Sequence, residues 1–299
     1  MNYVLLGLTI LFAVANNIFL HRLNEKEEKC NVFLFNALVS FVWFVVLFIL
    51  GKGLKPVSMY TVLFGMLFGA LTALFLLFKM LALGNGPVSV ASLIGCCSLI
   101  IPTLCGTIIW KEHINASQII GMVLLFLSLY FVVNPKVNAK INRKFIVYSC
   151  LFFVCAGMNG LVMKAYSKMG ESAELNDMMV IASFVAFAIL LLIYASSRMV
   201  LAEQKRSPLE AENRKAVIRR SSKYVLLCGM TSCVYQRLNL YLTGELASIV
   251  FFPIFNGMVI FLSCVAGIWF FKEKMTKKQI IGILTGTLSI MLVGNIICF

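Results

Sequence analysis

The sequence predicts an all-α integral membrane protein of ten transmembrane helices, arranged as two inverted five-helix repeats. Three observations predict it: an apolar excess, ten apolar runs of spanning length, and a motif pattern that occurs twice. Of 299 residues, 61% are hydrophobic and 13% charged, and the mean hydropathy is +0.95. A soluble domain is closer to half apolar and a quarter charged, so this chain has more apolar surface than a soluble core can hold.

A helix needs about 20 apolar residues to cross hydrocarbon. Runs that qualify fall at roughly 3–21, 32–51, 57–81, 87–110, 115–133, 144–163, 176–196, 223–243, 247–271 and 278–298. The first, Tyr3 to Leu20, is preceded by no Lys or Arg. It lacks the charged start of a signal peptide and reads as a retained helix. Connections are short apart from 197–222, a basic polar loop with Ser207-Pro208 inside it. Its second half, Leu209 to Arg220, reads as a short amphipathic surface helix.

The repeat is carried by motif and spacing. Trp110-Lys111-Glu112 precedes Gln118-Ile119-Ile120-Gly121, and Phe271-Lys272-Glu273 precedes Gln279-Ile280-Ile281-Gly282. Gly106 and Gly267 fall in the same register. Asn17 and Asn159 also pair, each followed five residues later by a cation, Arg22 or Lys164. The division is 1–134, a basic connecting loop at 135–142, and 143–299. Each half holds five helices, an odd number, so the second copy is inverted. Inverted repeats are a transporter signature, with the binding site between the halves.

The net charge is +14, from 26 Lys and Arg against 12 Asp and Glu. The cations cluster between apolar runs, which fits headgroups and topology rather than nucleic acid. Loops after odd-numbered helices hold 19 of them. That count puts these loops in the cytoplasm and both termini outside. The ten cysteines include no C-x-x-C and lie mostly in apolar runs, so neither a metal site nor a disulfide framework is expected. No cofactor is expected either, and the absence of H-E-x-x-H and G-x-S-x-G speaks against an intramembrane hydrolase.

The chain resembles the EamA-type branch of the drug/metabolite transporter superfamily. The likeness rests on the two Lys-Glu turns with their Gln-Ile-Ile-Gly sequels, and on Asn17 and Asn159 with their following cations. The Trp-Gly pair common before that Asn in the family is here Val14-Ala15 and Ala156-Gly157. The resemblance implies a central cavity lined by helices 1, 3, 4, 6, 8 and 9, with helices 5 and 10 further out. It also implies cytoplasmic termini, opposite to the charge count. The expected location is the cytoplasmic (cell) membrane. The expected partners are a small-molecule substrate and membrane lipids, for a monomer or weak homodimer.

All twelve carboxylates lie in loops or near helix ends. A mid-span carboxylate is the usual group for exchanging protons against organic cations. Its absence favours a small polar metabolite, an amino acid or similar solute, over two alternatives: a multidrug or organic-cation exporter, and a flippase for lipid-linked substrates. Lys79 and Arg237 enter apolar runs of helices 3 and 8. One reading makes them cationic groups facing the pathway from opposite halves; the other has them snorkelling to headgroups. Polar candidates for the substrate site are Asn17 and Asn159, Ser92, then Tyr235, Gln236 and Asn239 on one face of helix 8, and Asn256. Pro102 and Pro253 read as kinks or hinges in helices 4 and 9. The Lys-Glu turns read as caps, each Glu serving the helix that follows it.

Overall fold

A computed structural model describes residues 2–24, 31–53, 56–85, 94–95, 97–133, 142–169, 172–202, 209–271 and 277–293. Among them are ten α-helices and no strand. They are α1 (Asn2–Asn24), α2 (Asn31–Leu50), α3 (Met59–Asn85), α4 (Ile100–Trp110), α5 (Ala116–Val133), α6 (Arg143–Met169), α7 (Leu175–Ala202), α8 (Leu209–Glu245), α9 (Ser248–Phe271) and α10 (Lys277–Val293). Five are long and apolar enough to cross a membrane, within α1, α2, α3, α6 and α7. Shorter apolar stretches lie in α4, α5, α9 and α10.

The outward surface is apolar. Val4, Leu8 and Leu11 of α1, Leu63 and Met66 of α3, and Ile120, Val123 and Leu127 of α5 are exposed. A soluble monomer does not expose contiguous apolar faces on this scale. Lipid is the solvent that fits them, and the protein is a multi-pass membrane protein.

Helix pairing reproduces the repeat. The packed pairs α1·α8 and α6·α3 exchange when the halves are exchanged, as do α1·α9 and α6·α4. The pairs α2·α7, α4·α9 and α5·α10 map onto themselves. Such a set is what a pseudo-two-fold axis between five-helix halves produces.

Close approach in lipid needs small residues. In α5·α10, Gly121 lies against Leu292 and Val293, and Gly286 against Ser128. The Ser128 hydroxyl donates to the Gly282 carbonyl at 2.6 Å. The Gly121 and Gly282 that carried the repeat in sequence therefore serve this outer pair. Gly69 of α3 faces the backbone of Ala182 on α7.

Polar atoms hold the inner pairs. The Asn16 amide donates to the Cys228 carbonyl at 2.8 Å, to Thr231 Oγ1 at 3.0 Å and to Ser232 Oγ at 2.8 Å, tying α1 to α8. The Asn159 amide donates to Thr72 Oγ1 at 3.1 Å, tying α6 to α3. Thr72 and Thr231 each donate to the carbonyl four residues back, Phe68 and Leu227, at 2.8 Å. The same device thus occurs twice, each time from the first helix of one half to the third of the other, and Asn16 rather than the expected Asn17 takes the place that Asn159 has in the second half.

Several element boundaries differ from the sequence expectation. Helix α7 runs on to Ala202, six residues into the loop expected at 197–222, because nothing in 197–202 breaks a helix. The stretch at 209–220 is continuous with α8 rather than a separate surface helix. It lacks a Gly or Pro after Pro208, so nothing stops the helix before the apolar part begins. Helix α6 runs on to Met169, which takes Lys164 out of the loop to which its charge assigns it. Helix α4 starts at Ile100, with a turn at 98–99 before it. Pro102 is then the third residue of its helix, where a backbone N–H has no intrahelical partner, and it breaks nothing. Pro253 lies inside α9.

Candidate functional site

Helix α6 is the axis of the site. Its inward face carries Phe152, Cys155, Met163 and Tyr166, all buried. Between them Gly157 and Gly160 leave gaps. A Cβ at Gly160 would sit 3.1 Å from both Phe252 and Pro102. These gaps bring α4 and α9 across α6, and beside them lies a cavity of about 140 Å³.

The cavity is lined from both halves, by α3, α6, α8 and α9 and by residues 98–102 at the start of α4. Its polar groups are Ser98, Asn159, Gln236, Asn239 and Asn256. Its apolar wall includes Phe68, Phe252 and Phe255. The Asn256 amide donates to the Phe252 carbonyl at 2.9 Å, leaving its carbonyl end as an acceptor. The Asn239 carbonyl oxygen is buried and has no hydrogen-bond partner among the described residues. A buried acceptor without a donor costs about 1–3 kcal/mol, so it is an oriented group awaiting one. No carboxylate lines this cavity among the described residues.

One helical turn beyond Gly160, the end of the cavity region is bolted. The Lys164 ammonium lies 3.0 Å from Glu112 Oε1, with the two side chains 1% and 13% exposed. It also donates to the Leu246 carbonyl at 2.7 Å. Glu112 in turn accepts the Ser248 N–H on Oε2 at 2.7 Å and the Ser248 hydroxyl on Oε1 at 3.3 Å. One ion pair thus joins α6, the α4–α5 turn and the first turn of α9, bridging the two halves. The geometry is local in origin. Lys111 ends α4 in the left-handed region, φ 52°, and throws Glu112 back toward the bundle. Gly106 makes the space, since a Cβ there would lie 2.5 Å from Ser248 Cβ and 2.8 Å from Glu112 Oε2.

Glu112 is therefore a cap, but not for the helix that follows it. Helix α5 is capped by Gln118, whose Oε1 accepts the Asn115 N–H at 3.1 Å. Glu112 caps α9, from the other half. The matching positions Arg22 and Glu273 lie outside the residues whose side chains are described.

Of the sequence candidates, the fold brings together Asn159, Gln236, Asn239 and Asn256. Asn17 lies apart, exposed, and donates to Ser263 at 3.3 Å between α1 and α9. Tyr235 is half-buried and outside the lining. Ser92 lies outside the described residues. Lys79 sits over the Phe75 ring, 5.7 Å from its centre. Arg237 lines a different cavity and donates to Asn176 Oδ1 at 2.9 Å. The two cations do not meet across one pathway. If Thr72 matches Thr231, position 79 matches Leu238, and a one-residue offset turns a helical side chain by about 100°. Helix α1 lines no part of the cavity among the described residues, because Asn16 is spent on α8.

Two groups escaped sequence reasoning: Lys164, and Glu112 as its partner. For Lys164 a signal exists, its match with Arg22 five residues after a repeated Asn.

The same end of the bundle carries a second anchored carboxylate. Glu174, in the 3₁₀ turn Ser172–Glu174, accepts hydrogen bonds from Thr61 and from the Ser58 hydroxyl at 2.8 Å and backbone N–H at 3.2 Å, at the start of α3. The Thr61 and then the Ser58 hydroxyl bonds hold its carboxyl below the usual range, against a smaller upward push from desolvation. Because the folded value lies below the unfolded one, this stabilisation is present above pH about 4.3 and is lost as pH falls through the folded value. Detergent-purified protein is expected to melt progressively lower across that acid window, and Glu174→Gln to show a flatter profile from a lower starting point. Parallel melting curves for the two proteins would remove Glu174 from the acid response.

A sequence profile of the EamA-like transporter family matches residues 1–134 and 143–295. No curated protein matches the chain. A solved structure described only as a crystal structure of a protein superposes with TM-score 0.71, covering 98% of this chain and 96% of that one at 12% identity. At that identity the likeness concerns the fold alone.

Proposed function

The chain belongs to the EamA-like transporter family, and from that premise we propose that it carries a small uncharged or zwitterionic polar solute, of amino-acid size, by alternating access of its two halves. One observation carries the reading: an amide-lined cavity built from both halves, holding an acceptor, Asn239 Oδ1, that has no donor among the described residues. Its volume, about 140 Å³, is close to that of engineered cavities that take a benzene-sized molecule. Four carboxamides and a hydroxyl supply donors and acceptors but no net charge. An organic cation would find no counter-charge in this lining, so the metabolite reading is favoured over a cation exporter.

The bolt at Lys164 and Glu112 gives the reading a closed end. Helices of both halves meet there, so opening that face requires the ion pair and the Ser248 bonds to part. Transport then consists of exchanging this closed end for closure at the other.

Uptake into liposomes from pools of amino acids, nucleosides, organic acids and quaternary amines tests the reading. Neutral and zwitterionic pools are expected to move, and quaternary amines to remain outside. Asn239→Leu is expected to abolish that uptake while leaving the melting temperature unchanged or raised, because it removes a buried unsatisfied group. Full uptake by that variant would detach the cavity from transport.

A further inference from the structure

A second cavity, of about 360 Å³, lies on the outer side of α8, between α8, the end of α2 and the start of α7. Leu47, Leu50, Val234 and Tyr241 give it apolar walls, and Arg237 and Asn176 give it a polar corner. Leu50 ends α2 and Leu175 begins α7, so this corner sits at one end of the spans, at headgroup depth.

The guanidinium is exposed and held in place. It donates to Asn176 Oδ1 at 2.9 Å, and the Asn176 amide is oriented by the Leu47 carbonyl at 3.4 Å. Asn176 thereby uses one of the five guanidinium donors. Among the described residues Arg237 forms no ion pair. The carboxylates that flank Asn176 in sequence, Glu174 and Asp177, do not line the cavity, nor does Glu245 on α8: Glu174 is bound to Ser58 and Thr61, and Asp177 is buried. Lys52, exposed one residue beyond the Gly51 that packs on Asn176, adds a second cation nearby. An uncompensated cation on a membrane helix calls for an anion, and a planar fork of donors suits phosphate.

We infer that this cavity binds an anionic phospholipid, its phosphate on Arg237 and an acyl chain along Leu47, Leu50, Val234 and Tyr241. A soluble anion would satisfy the guanidinium but leave the apolar walls uncovered, whereas a lipid covers both.

Native mass spectrometry of the full-length protein in phosphatidylcholine micelles, titrated with phosphatidylglycerol, tests this. Wild type is expected to retain phosphatidylglycerol at least tenfold better than added phosphatidylcholine. Arg237→Gln is expected to erase the preference and Arg237→Lys to keep part of it. Leu50→Trp, which fills the apolar wall without touching the cation, is expected to lower retention and covers the case in which Arg237→Gln does not fold. Equal retention of both lipids by wild type overturns the inference, as does an unchanged preference in Arg237→Gln or an unchanged retention in Leu50→Trp. Displacement of the lipid by millimolar inorganic phosphate would overturn it in favour of a soluble-anion site. Asn239→Leu is expected to bind lipid as wild type does, so this outcome is separable from that of the transport reading.

Discussion

Lys164→Met is expected to destabilise the protein by about 3–5 kcal/mol, the range for stranding one partner of a buried ion pair. Among the described residues Glu112 would keep only Ser248 as a donor, in a site with little water. Glu112→Gln strands the Lys164 ammonium in turn, 1% exposed, and is expected to destabilise in the same range, although the amide oxygen still accepts from the Ser248 N–H. The diagnostic is the double variant. Lys164→Met with Glu112→Gln leaves no stranded charge and is expected to melt above Lys164→Met alone. Exchanging the two residues is expected to fail, because a Glu at 164 cannot donate to the Leu246 carbonyl and a Lys at 112 cannot accept from Ser248. Melting in detergent and uptake in liposomes read the two consequences separately. If the double variant melts with the single effects simply summed, the residues are not coupled and the bolt is an accident of proximity.

Gly69→Ala is expected to be nearly as damaging, although it adds one methyl group. A Cβ at 69 would run into the Ala182 carbonyl oxygen and lie 2.9 Å from Val185 Cβ. A backbone oxygen cannot rotate away, so α3 and α7 must separate. Overpacking of this kind costs about 1–3 kcal/mol, and the rigid obstacle puts Gly69→Ala toward the top. Gly7→Ala on α1 is the control. Nothing lies within 4 Å of a Cβ there, and Ala is the better helix former by up to about 1 kcal/mol. The same chemical change is therefore expected to lower the melting temperature at 69 and to raise it at 7. A fall at both positions would mean that helix packing is not what selects glycine on α3.

Much of the architecture was legible. Apolar runs and the repeated Lys-Glu and Gln-Ile-Ile-Gly motifs are one-dimensional signals, and they led directly to two halves of five helices. The repeated glycines pointed to equivalence, yet their role in the α5·α10 contact could be seen only with both helices in place. Of the site, Asn159, Gln236, Asn239 and Asn256 were legible because amides are rare in apolar spans. Asn16 and Asn17 show the limit. Adjacent positions on a helix point about 100° apart, so one is buried against α8 and the other is exposed beside Ser263.

By itself, then, the sequence determined the solvent, the helices, the twofold repeat and the absence of mid-span carboxylates. Each follows from composition or from spacing along the chain. Tertiary structure alone decided which face each polar residue presents and with whom it pairs. It put Arg237 in a lateral cavity rather than the central one, buried Lys164, and turned Glu112 from a cap on the next helix into the tie between halves. The physical reason is that pairing depends on rotation about each helix axis and on contacts more than a hundred residues apart. Neither quantity is encoded locally, because both are fixed only when the helices pack.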